Sequence, residues 1–404
     1  MDQYDVIVVG ARVAGSPTAW QLADQGHRVL LVDRAAFPSD TVSTHLIHPP
    51  GVATLRSWGL LETLRATGCP PIHTYAFDMW PFVISGSPGL ADSPVSYAPR
   101  RTVLDKLLVD AAARAGVEVR EEFTVDDLVV EDGRVAGIRG HGKGGSRVIE
   151  RARVVVGADG LHSFVARMVK PETYREQPPV QAGYYTYWSG LEMSGHFEAY
   201  DRGDRVWAAW PTHDDLTLVI VSWPIAQFET NKQDVTRHYM EAFDRAPSFA
   251  ARIRSARREE RFVGMAVPGY FRKPFGPGWA LVGDAGYNKD FITAQGISDA
   301  FRDATLCAGA LHDSLSGARS FDAAMSDYQS TRDAHVGPLY EFTCQFARLE
   351  PPPPQMQQLF GAVRGNQDAM NGFARVISGV VSPADFFSPE NVGRIFAAAG
   401  AARG

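Results

Sequence analysis

The amino-terminal segment contains the pattern that most constrains the fold of this chain. A short β-branched apolar run, Tyr4 to Gly10, is typical of a strand buried on both faces. A glycine-containing turn follows, Gly10 to Gly15, and leads into a segment with helical character before a second apolar strand ends at Asp33. This order predicts a βαβ unit with the layout of a dinucleotide-binding site. In that layout a pyrophosphate lies at the helix start and Asp33 meets the ribose hydroxyls.

Arg12 departs from the usual sequence of such a turn. It replaces the middle glycine of GxGxxG, the position that lets the backbone approach a pyrophosphate closely. The arginine side chain either turns outward or adds a positive charge near the phosphates. The strand–helix–strand context and Asp33 favour nucleotide binding over a tight turn without a ligand.

A second pattern of the same kind runs from Leu281 to Arg302. An apolar run ends at Gly283-Asp284, a loop follows, and a helix is expected to open near Gly296. The carboxylate can accept a hydrogen bond from a sugar-like hydroxyl, and the helix start offers free N–H groups to an electron-rich oxygen. This stretch therefore predicts another contact with the same kind of ligand.

The middle of the chain adds a third such pattern. A buried strand ends at Gly157, Asp159-Gly160 form a turn, and Ser163 is placed to cap a short helix. Arg101 stands in the first turn of an amphipathic helix, where a cation favours a nearby anion; a solvated side chain is an equal alternative. A large cofactor with phosphate and ribityl groups is the interpretation that these separated patterns share.

Aromatic strands follow between about residues 183 and 223. They carry Tyr185, Tyr187, Trp207 and Trp210, which we interpret either as ordinary core or as a wall for an apolar, ring-bearing substrate. After Ala300 the sequence predicts a largely helical chain.

Composition excludes several classes of function. The net charge of −6 gives no support to nucleic-acid binding. Cys69, Cys307 and Cys344 are scattered, so we expect no metal site and no disulfide framework. Without a leader or a membrane-length apolar run, we expect a cytoplasmic protein.

Taken together, these motifs resemble those of the flavoprotein monooxygenases of the p-hydroxybenzoate hydroxylase type, broadly including geranylgeranyl reductases and flavin-dependent halogenases. The resemblance covers roughly residues 4–335. It implies an α/β fold with a Rossmann-like FAD-binding domain and a parallel sheet, an interleaved antiparallel β-sheet substrate domain and a helical C-terminal part. The FAD-binding domain would comprise residues 1–75, 99–175 and 264–335, the substrate domain 76–98 and 176–263, and the helical part 336–404.

The resemblance also implies how FAD is held. Gly10, Arg12, Val13, Ala14 and Gly15 would hold the pyrophosphate, Asp33 and Arg34 the adenosine end, and the backbone near Val125 the adenine. Arg101 would lie along FAD, Gly283-Asp284 would bind the ribityl and pyrophosphate region, and Gly296 and Ile297 would face the flavin pyrimidine edge. Asp159 and Gly160 would serve both FAD and NAD(P)H.

One position, Phe291, differs from the family pattern, and another, His45, has two alternative roles. Phe291 stands where the family often has proline, which implies a differently shaped substrate face. His45 falls where relatives bring a residue close to the flavin, so it is a candidate for acid–base or cofactor contact; a hydrogen-bonding loop histidine is the alternative.

The activity that the resemblance implies is NAD(P)H-dependent monooxygenation of an aromatic or polyketide-like small molecule by dioxygen through a hydroperoxide at flavin C4a. A reductase or desaturase of the geranylgeranyl reductase kind and a flavin-binding module without turnover stay open as alternatives. A halogenase is disfavoured, because the chain has only Trp207-Ala-Ala-Trp210-Pro211 for the halogenase tryptophan pattern and no lysine before Lys106. The oligomeric state stays open.

Overall fold

The computed structural model describes residues 3–401 of the chain. In chain order, its strands are β1 (Tyr4–Val9), β2 (Val29–Val32), β3 (Pro71–Ile72), β4 (Thr74–Asp78), β5 (Val83–Gly86), β6 (Ser96–Tyr97), β7 (Glu118–Arg120), β8 (Phe123–Glu131), β9 (Arg134–Gly142), β10 (Val148–Gly157), β11 (Thr173–Gln177), β12 (Gln181–Ser189), β13 (His196–Asp201), β14 (Val206–Pro211), β15 (Leu216–Pro224), β16 (Arg257–Arg258), β17 (Val263–Met265), β18 (Gly269–Arg272), β19 (Phe275–Gly276), β20 (Trp279–Leu281) and β21 (Tyr287–Asn288).

The α-helices are interspersed with these strands and dominate the last hundred residues. They are α1 (Gly15–Asp24), α2 (Pro49–Ser57), α3 (Leu61–Ala66), α4 (Arg101–Arg114), α5 (Phe164–Val169), α6 (Phe228–Asn231), α7 (Val235–Ala242), α8 (Pro247–Ser255), α9 (Gly296–Leu315), α10 (Phe321–Phe346), α11 (Pro354–Val363), α12 (Gln367–Ile377), α13 (Pro383–Phe386) and α14 (Pro389–Ala401).

A sheet built mainly from parallel strands forms the first layer. Strand β1 pairs in parallel with β2 and β10, β2 pairs with β7, and β10 pairs with β20. The predicted β-branched run is buried on both faces: Val6 and Val8 pack in the same core cluster as residues of α1, α4 and α9, whereas Ile7 and Val9 pack with residues of the β8–β9 hairpin and α5. This two-sided burial is what a parallel sheet covered by helices requires.

A second, antiparallel sheet has the strand order β16-β12-β15-β14-β13-β4-β5, and β17 also pairs with β12. Residues alternate between its faces because successive side chains of a strand point in opposite directions. One face packs with α7 and α8, and the other with the C-terminal helices α11 and α12. A small third sheet, β11-β18-β21, packs against α10.

The expected fold class is confirmed: an α/β layer with parallel strands, an antiparallel sheet and a helical C-terminal part. The limits of the domains stay a prediction. Across residues 3–401, no helix combines the length and apolar character needed to cross a membrane.

Candidate functional site

A cavity of ≈ 820 Å³ lies where β1, β2, β10 and β20 end, along the carboxyl edge of the parallel sheet. In open α/β sheets, ligands bind outside this edge. Most of the residues expected to bind the cofactor line the cavity: Gly10, Arg12, Val13, Ala14, Asp33, Arg34, Arg101, Val125, Asp159, Gly160, Gly283, Asp284, Gly296 and Ile297. Segments that are distant in the sequence therefore meet around one space.

The turn after β1 needs its two outer glycines for different reasons. Gly10 has φ 103°, and a Cβ there would lie 2.5 Å from the carbonyl oxygen of Ala158. A Cβ on Gly15 would lie 1.7 Å from the carbonyl oxygen of Gly10. Gly15 is buried and does not line the cavity, so it closes the turn rather than facing the ligand.

Asp33 holds the same turn from the end of β2. One carboxylate oxygen accepts a hydrogen bond from the backbone N–H of Ala11 at 2.7 Å, and the other accepts one from Ala35 at 2.8 Å. A carboxylate has about four acceptor sites, so Asp33 keeps capacity for a hydroxyl in the cavity that it lines.

Asp159 lines the cavity and also binds the start of α5. Its carboxylate accepts the hydroxyl of Ser163 at 2.5 Å and the backbone N–H groups of Phe164 and Val165 at 2.6 and 3.2 Å. Burial raises the pKa of Asp159 despite these donors. Asp159 therefore orders the start of α5, while Gly160 beside it has φ 76° and open space at its Cβ position.

Arg101 is buried rather than solvated, which excludes one of the two alternatives. Its Nε and Nη2 atoms lie 3.0 and 2.9 Å from one oxygen of the buried Asp105, four residues later in α4. The side chain also lines the cavity. Asp105 thus fixes a guanidinium beside the space where an anionic cofactor would lie.

Asp284 lies in the 3-10 turn Gly283–Ala285, directly after β20. Burial raises the pKa of its carboxyl to about 6, against the opposing influence of Arg101. A Cβ on Gly283 would lie 2.8 Å from the Cβ of Ala14, so this turn and the first turn pack closely together. Asp284 therefore lies beside the first turn, on the wall of the same cavity.

Helix α9 points its amino terminus at the cavity without a capping side chain. The preceding Gln295 instead donates its amide to the carbonyl of Ile377 at 2.7 Å. A Cβ on Gly296 would meet nothing within 4 Å. A helix start leaves its first N–H groups without partners in the helix, so those of Gly296 and Ile297, which line the cavity, fit an electron-rich oxygen such as that of a flavin pyrimidine.

Buried charges that the sequence analysis missed surround this helix start. Lys289 contacts Asp299, and Arg302 binds Asp299 and Asp303 at 2.7 and 2.6 Å. Burial alone would raise the pKa of Asp299, but Lys289 and Arg302 outweigh it and lower the pKa to about 2. The ion pairs fix the carboxylate in α9, next to the cavity that Lys289 and Asp299 both line. The one sequence feature that pointed to these ion pairs was Asp299, an acidic residue in the first turn of the helix predicted to open near Gly296.

Asp290 is a second residue that the sequence analysis missed. It lines the cavity between Lys289 and Phe291, and burial raises the pKa of its carboxyl to about 7. Phe291 also lines the cavity, and its ring lies close to β12, because a Cβ on Gly183 would be 2.8 Å from the ring.

The prediction that Trp207 belongs to an aromatic wall of the substrate site is wrong. Trp207 and Trp210 are three positions apart in β14, so their side chains point to opposite faces. Trp207 stacks on Tyr200 at 5.0 Å and packs against Phe249 of α8, on the face away from the C-terminal helices. Trp210 is on the other face but packs on Phe197 and does not line the cavity.

Tyr185, Tyr187 and His45 form a buried group behind the cavity wall. The Nε2 atom of His45 contacts the hydroxyl of Tyr187, and none of the three lines the cavity. Burial lowers the pKa of His45 well below its usual range, so the imidazole is neutral. The expectation that His45 reaches the flavin is therefore corrected: Ser43 and Thr44, just before it, form the wall instead.

Two curated relatives that resemble this chain over most of its length are reductases. The chain is 27% identical over 342 residues to the digeranylgeranylglycerophospholipid reductase of Methanocella arvoryzae, covering 81% of this chain and 82% of that protein. The chain is also 28% identical over 325 residues to the digeranylgeranylglycerophospholipid reductase of Methanosarcina mazei, covering 78% of this chain and 76% of that protein.

Solved structures with the same fold have other names. The flavin-dependent brominase Bmp2 matches with a TM-score of 0.80 at 19% identity, over 100% of this chain and 99% of that one. PqsL of Pseudomonas aeruginosa, a probable FAD-dependent monooxygenase, matches with a TM-score of 0.72 at 20% identity, over 92% and 99%. At these identities the likeness shows the fold alone.

The dinucleotide turn, the Asp284 turn and the uncapped start of α9 surround one cavity. The sequence matches the FAD binding domain family over residues 3–343. The chain therefore belongs to the FAD binding domain family and is an FAD-dependent oxidoreductase.

Proposed function

We propose that this oxidoreductase is an NAD(P)H-using monooxygenase that inserts one oxygen atom into an aromatic or polyketide-like small molecule. Bound FAD would supply electron transfer from NAD(P)H and reaction with dioxygen. The turn from Gly10 to Ala14 would hold its pyrophosphate, and Asp33 with Arg34 its adenosine end. Val125 would meet the adenine.

The opposite end of the cofactor would be held by charge and by a helix dipole. Arg101 and Asp284 would bind the middle of FAD, with Asp159 and Gly160 near both FAD and NAD(P)H. The amino terminus of α9 carries roughly half a positive charge, which favours negative charge on a bound flavin edge at Gly296 and Ile297. Phe291 and Met265 line the cavity and would exclude water from the reacting atoms.

One observation carries the preference for a polar, ring-bearing substrate. The residues that line the cavity include Asn288, Lys289 and Asp290 beside Phe291, so the wall is polar as well as aromatic. Covering a polar group with a hydrocarbon chain, without giving it a partner, costs about 1–3 kcal/mol. A substrate that combines a ring with hydroxyl or carbonyl groups suits this wall better than an isoprenoid chain.

A second candidate function is reduction of an isoprenoid double bond. The observation that favours it is the likeness to reductases over four fifths of the chain. The same cofactor-binding residues would serve both reactions, so the proposals differ in the substrate and in the fate of oxygen.

The test is to incubate the FAD-loaded protein with NADPH or NADH in air and to supply phenolic, polyketide and isoprenoid compounds separately. Oxygenated products from the first two classes support the proposal. Products that gain two hydrogen atoms, from isoprenoids alone, would support the reductase. A bound flavin that neither nicotinamide reduces would identify a binding module without turnover, and brominated products in the presence of bromide would identify a halogenase.

A further inference from the structure

Gly183 is an unusual residue for the interior of the antiparallel sheet. It is buried in β12, a strand that pairs with β15 along one edge and with β17 along the other. Glycine weakens a strand interior, because it loses more conformational freedom on folding than other residues and has no side chain to pack. The φ angle of Gly183 is not positive, so its backbone conformation does not require glycine. The reason for glycine here lies in the space beside it.

The side chain of Phe291 occupies that space. A Cβ on Gly183 would lie 2.8 Å from Cζ and 3.0 Å from Cε2 of the Phe291 ring. Carbon atoms in good contact are about 3.5–4.0 Å apart, so no side chain fits between the ring and the strand. Gln181 and Tyr185, two positions away on either side, point to the same face of β12 as the missing side chain. The ring therefore rests on the strand at the gap that Gly183 leaves between them.

The same strand also holds the loop that carries the ring. The Nε2 atom of Gln181 donates to Oδ1 of Asp290 at 2.5 Å, and that oxygen accepts the backbone N–H of Ile292 at 2.9 Å. Phe291 follows Asp290 directly and opens the 3-10 turn Phe291–Thr293. One face of β12 thus contacts two consecutive residues of the loop, so the ring is held both through its backbone and at its tip.

The ring stands between β12 and the cavity. Phe291 lines the cavity, as does Met265, the residue of β17 that pairs with Gly183, whereas Gly183 itself does not. The part of Phe291 that approaches Gly183 is the far end of its side chain, which rotates more easily than a strand paired on both edges moves. A methyl group added at Gly183 would therefore push the ring away from β12, and the ring would take up space in the cavity.

We propose that Gly183 determines the size of the ring system that the cavity accepts, by allowing the ring of Phe291 to lie against β12. Gly183 is a positioning residue in this scheme, and Phe291 is the residue that meets the bound molecule. The inference deepens the proposed function and rests on it in taking a ring-bearing molecule as the ligand.

The experiment measures the binding of phenol and of 2-naphthol to FAD-loaded, oxidised protein through the change in the flavin absorption spectrum, which requires no turnover. Gly183→Ala should lower the affinity for 2-naphthol relative to phenol by about 10-fold or more, because one methylene group in an apolar pocket changes discrimination by about 10- to 200-fold. Phe291→Ala should change the ratio in the opposite direction. Gly309→Ala is the matched control, since its Cβ meets nothing within 4 Å and the residue does not line the cavity.

The double variant shows whether Gly183 acts through the ring. Once Phe291→Ala has removed the ring, adding Gly183→Ala should leave the ratio of the two affinities unchanged. The same shift in the presence and in the absence of the ring would overturn the positioning role, as would an equal loss of affinity for both compounds in Gly183→Ala. If Gly183→Ala folds poorly, Phe291→Ala alone tests the proposal, and an unchanged ratio in that variant would overturn it.

A crystal structure of Gly183→Ala provides a readout that needs no ligand. We expect the Phe291 ring to be displaced from β12 into the cavity; a ring that keeps its place while the strand moves would overturn the proposal. Failure of the proposed function is a separate result. It appears as an unaltered protein that binds neither compound or forms no oxygenated product, and it leaves the position of the ring in the variant as described.

Discussion

The Nη1 atom of Arg12 lies 2.5 Å from Oδ2 of Asp105, a fully buried carboxylate whose other oxygen binds Arg101. The Nη2 atom of Arg12 also donates to the Ser39 hydroxyl at 3.0 Å. Arg12, which stands where the family has glycine, is therefore held by hydrogen bonds and paired with a carboxylate. It ties the first turn to α4 and to the segment after β2.

The first prediction concerns the ion pair between Arg12 and Asp105. Arg12→Ala leaves Asp105 with one guanidinium instead of two, so we expect the free energy of unfolding to fall by about 1–3 kcal/mol. Urea unfolding of the FAD-loaded protein measures the change. Arg114→Ala, an exposed position in the same helix as Asp105, serves as the control and should change the unfolding free energy by less than about 0.5 kcal/mol. Equal stability of the two variants would refute the structural role of Arg12.

The second prediction concerns Asp284. Its carboxylate is proposed to accept a hydrogen bond from FAD, and a hydrogen bond to a charged group contributes about 1.5–3 kcal/mol. Asp284→Ala should therefore raise the dissociation constant of FAD by roughly 10- to 150-fold. Fluorescence titration of the apoprotein with FAD measures it, with Asp132→Ala in the distant β8–β9 turn as the control. Unchanged FAD affinity in Asp284→Ala would remove this residue from the cofactor site.

The third prediction compares two glycines of the cavity wall. Gly10→Ala places a methyl group 2.5 Å from the Ala158 carbonyl oxygen in a left-handed conformation, so the protein should fold poorly or lose its flavin. Gly296→Ala meets nothing within 4 Å and should fold with unchanged or slightly greater stability. Thermal unfolding and flavin content of the two purified proteins make the comparison. A stable, flavin-loaded Gly10→Ala protein would contradict the described turn.

The fourth prediction is a dependence of stability on pH through His48. Its Nδ1 lies 2.7 Å from the Tyr75 hydroxyl and its Nε2 lies 2.9 Å from the Thr293 carbonyl oxygen, and burial lowers its pKa to about 4. The unfolded chain binds a proton below about 6.5, whereas the folded protein resists it until about 4. Stability is thus fully present above 6.5 and is lost as the pH falls, by about 3 kcal/mol in all.

The matched variant for this prediction is His48→Gln, which keeps one donor and one acceptor but does not titrate. The free energy of unfolding of both proteins is measured in urea from pH 7 to pH 4. The value for the unaltered protein minus the value for His48→Gln should fall by about 3 kcal/mol over this range. Parallel curves for the two proteins over this range would show that His48 is not buried in the neutral form.

Most of the residues proposed to bind the cofactor could be located in the cavity wall from the sequence, because their positions depend on backbone geometry. Gly10 and Gly283 mark turns that demand small residues, and Asp33 and Asp284 mark strand ends; such local patterns are visible in a single sequence. The fold class followed from the same patterns, since buried β-branched runs followed by helices predict a parallel sheet.

The substrate end was not predictable in this way because it depends on contacts between distant segments. Gln181 and Asp290 are separated by 109 positions, and no local pattern pairs them. Trp207 was assigned to the wrong face because an aromatic-rich strand does not reveal which of its alternate residues faces the cofactor domain. His45 is close in sequence to the cavity wall, but a backbone with φ 61° turns its side chain into the group with Tyr187.

The most direct test of the monooxygenase account is the mass of the product formed under isotopically labelled dioxygen. Purified, FAD-loaded protein with NADPH and a phenolic or polyketide substrate should give a product that gains one oxygen atom, and that atom should carry the label. A product that gains two hydrogen atoms and carries no label would contradict the account and assign the protein to the reductases that it resembles in sequence.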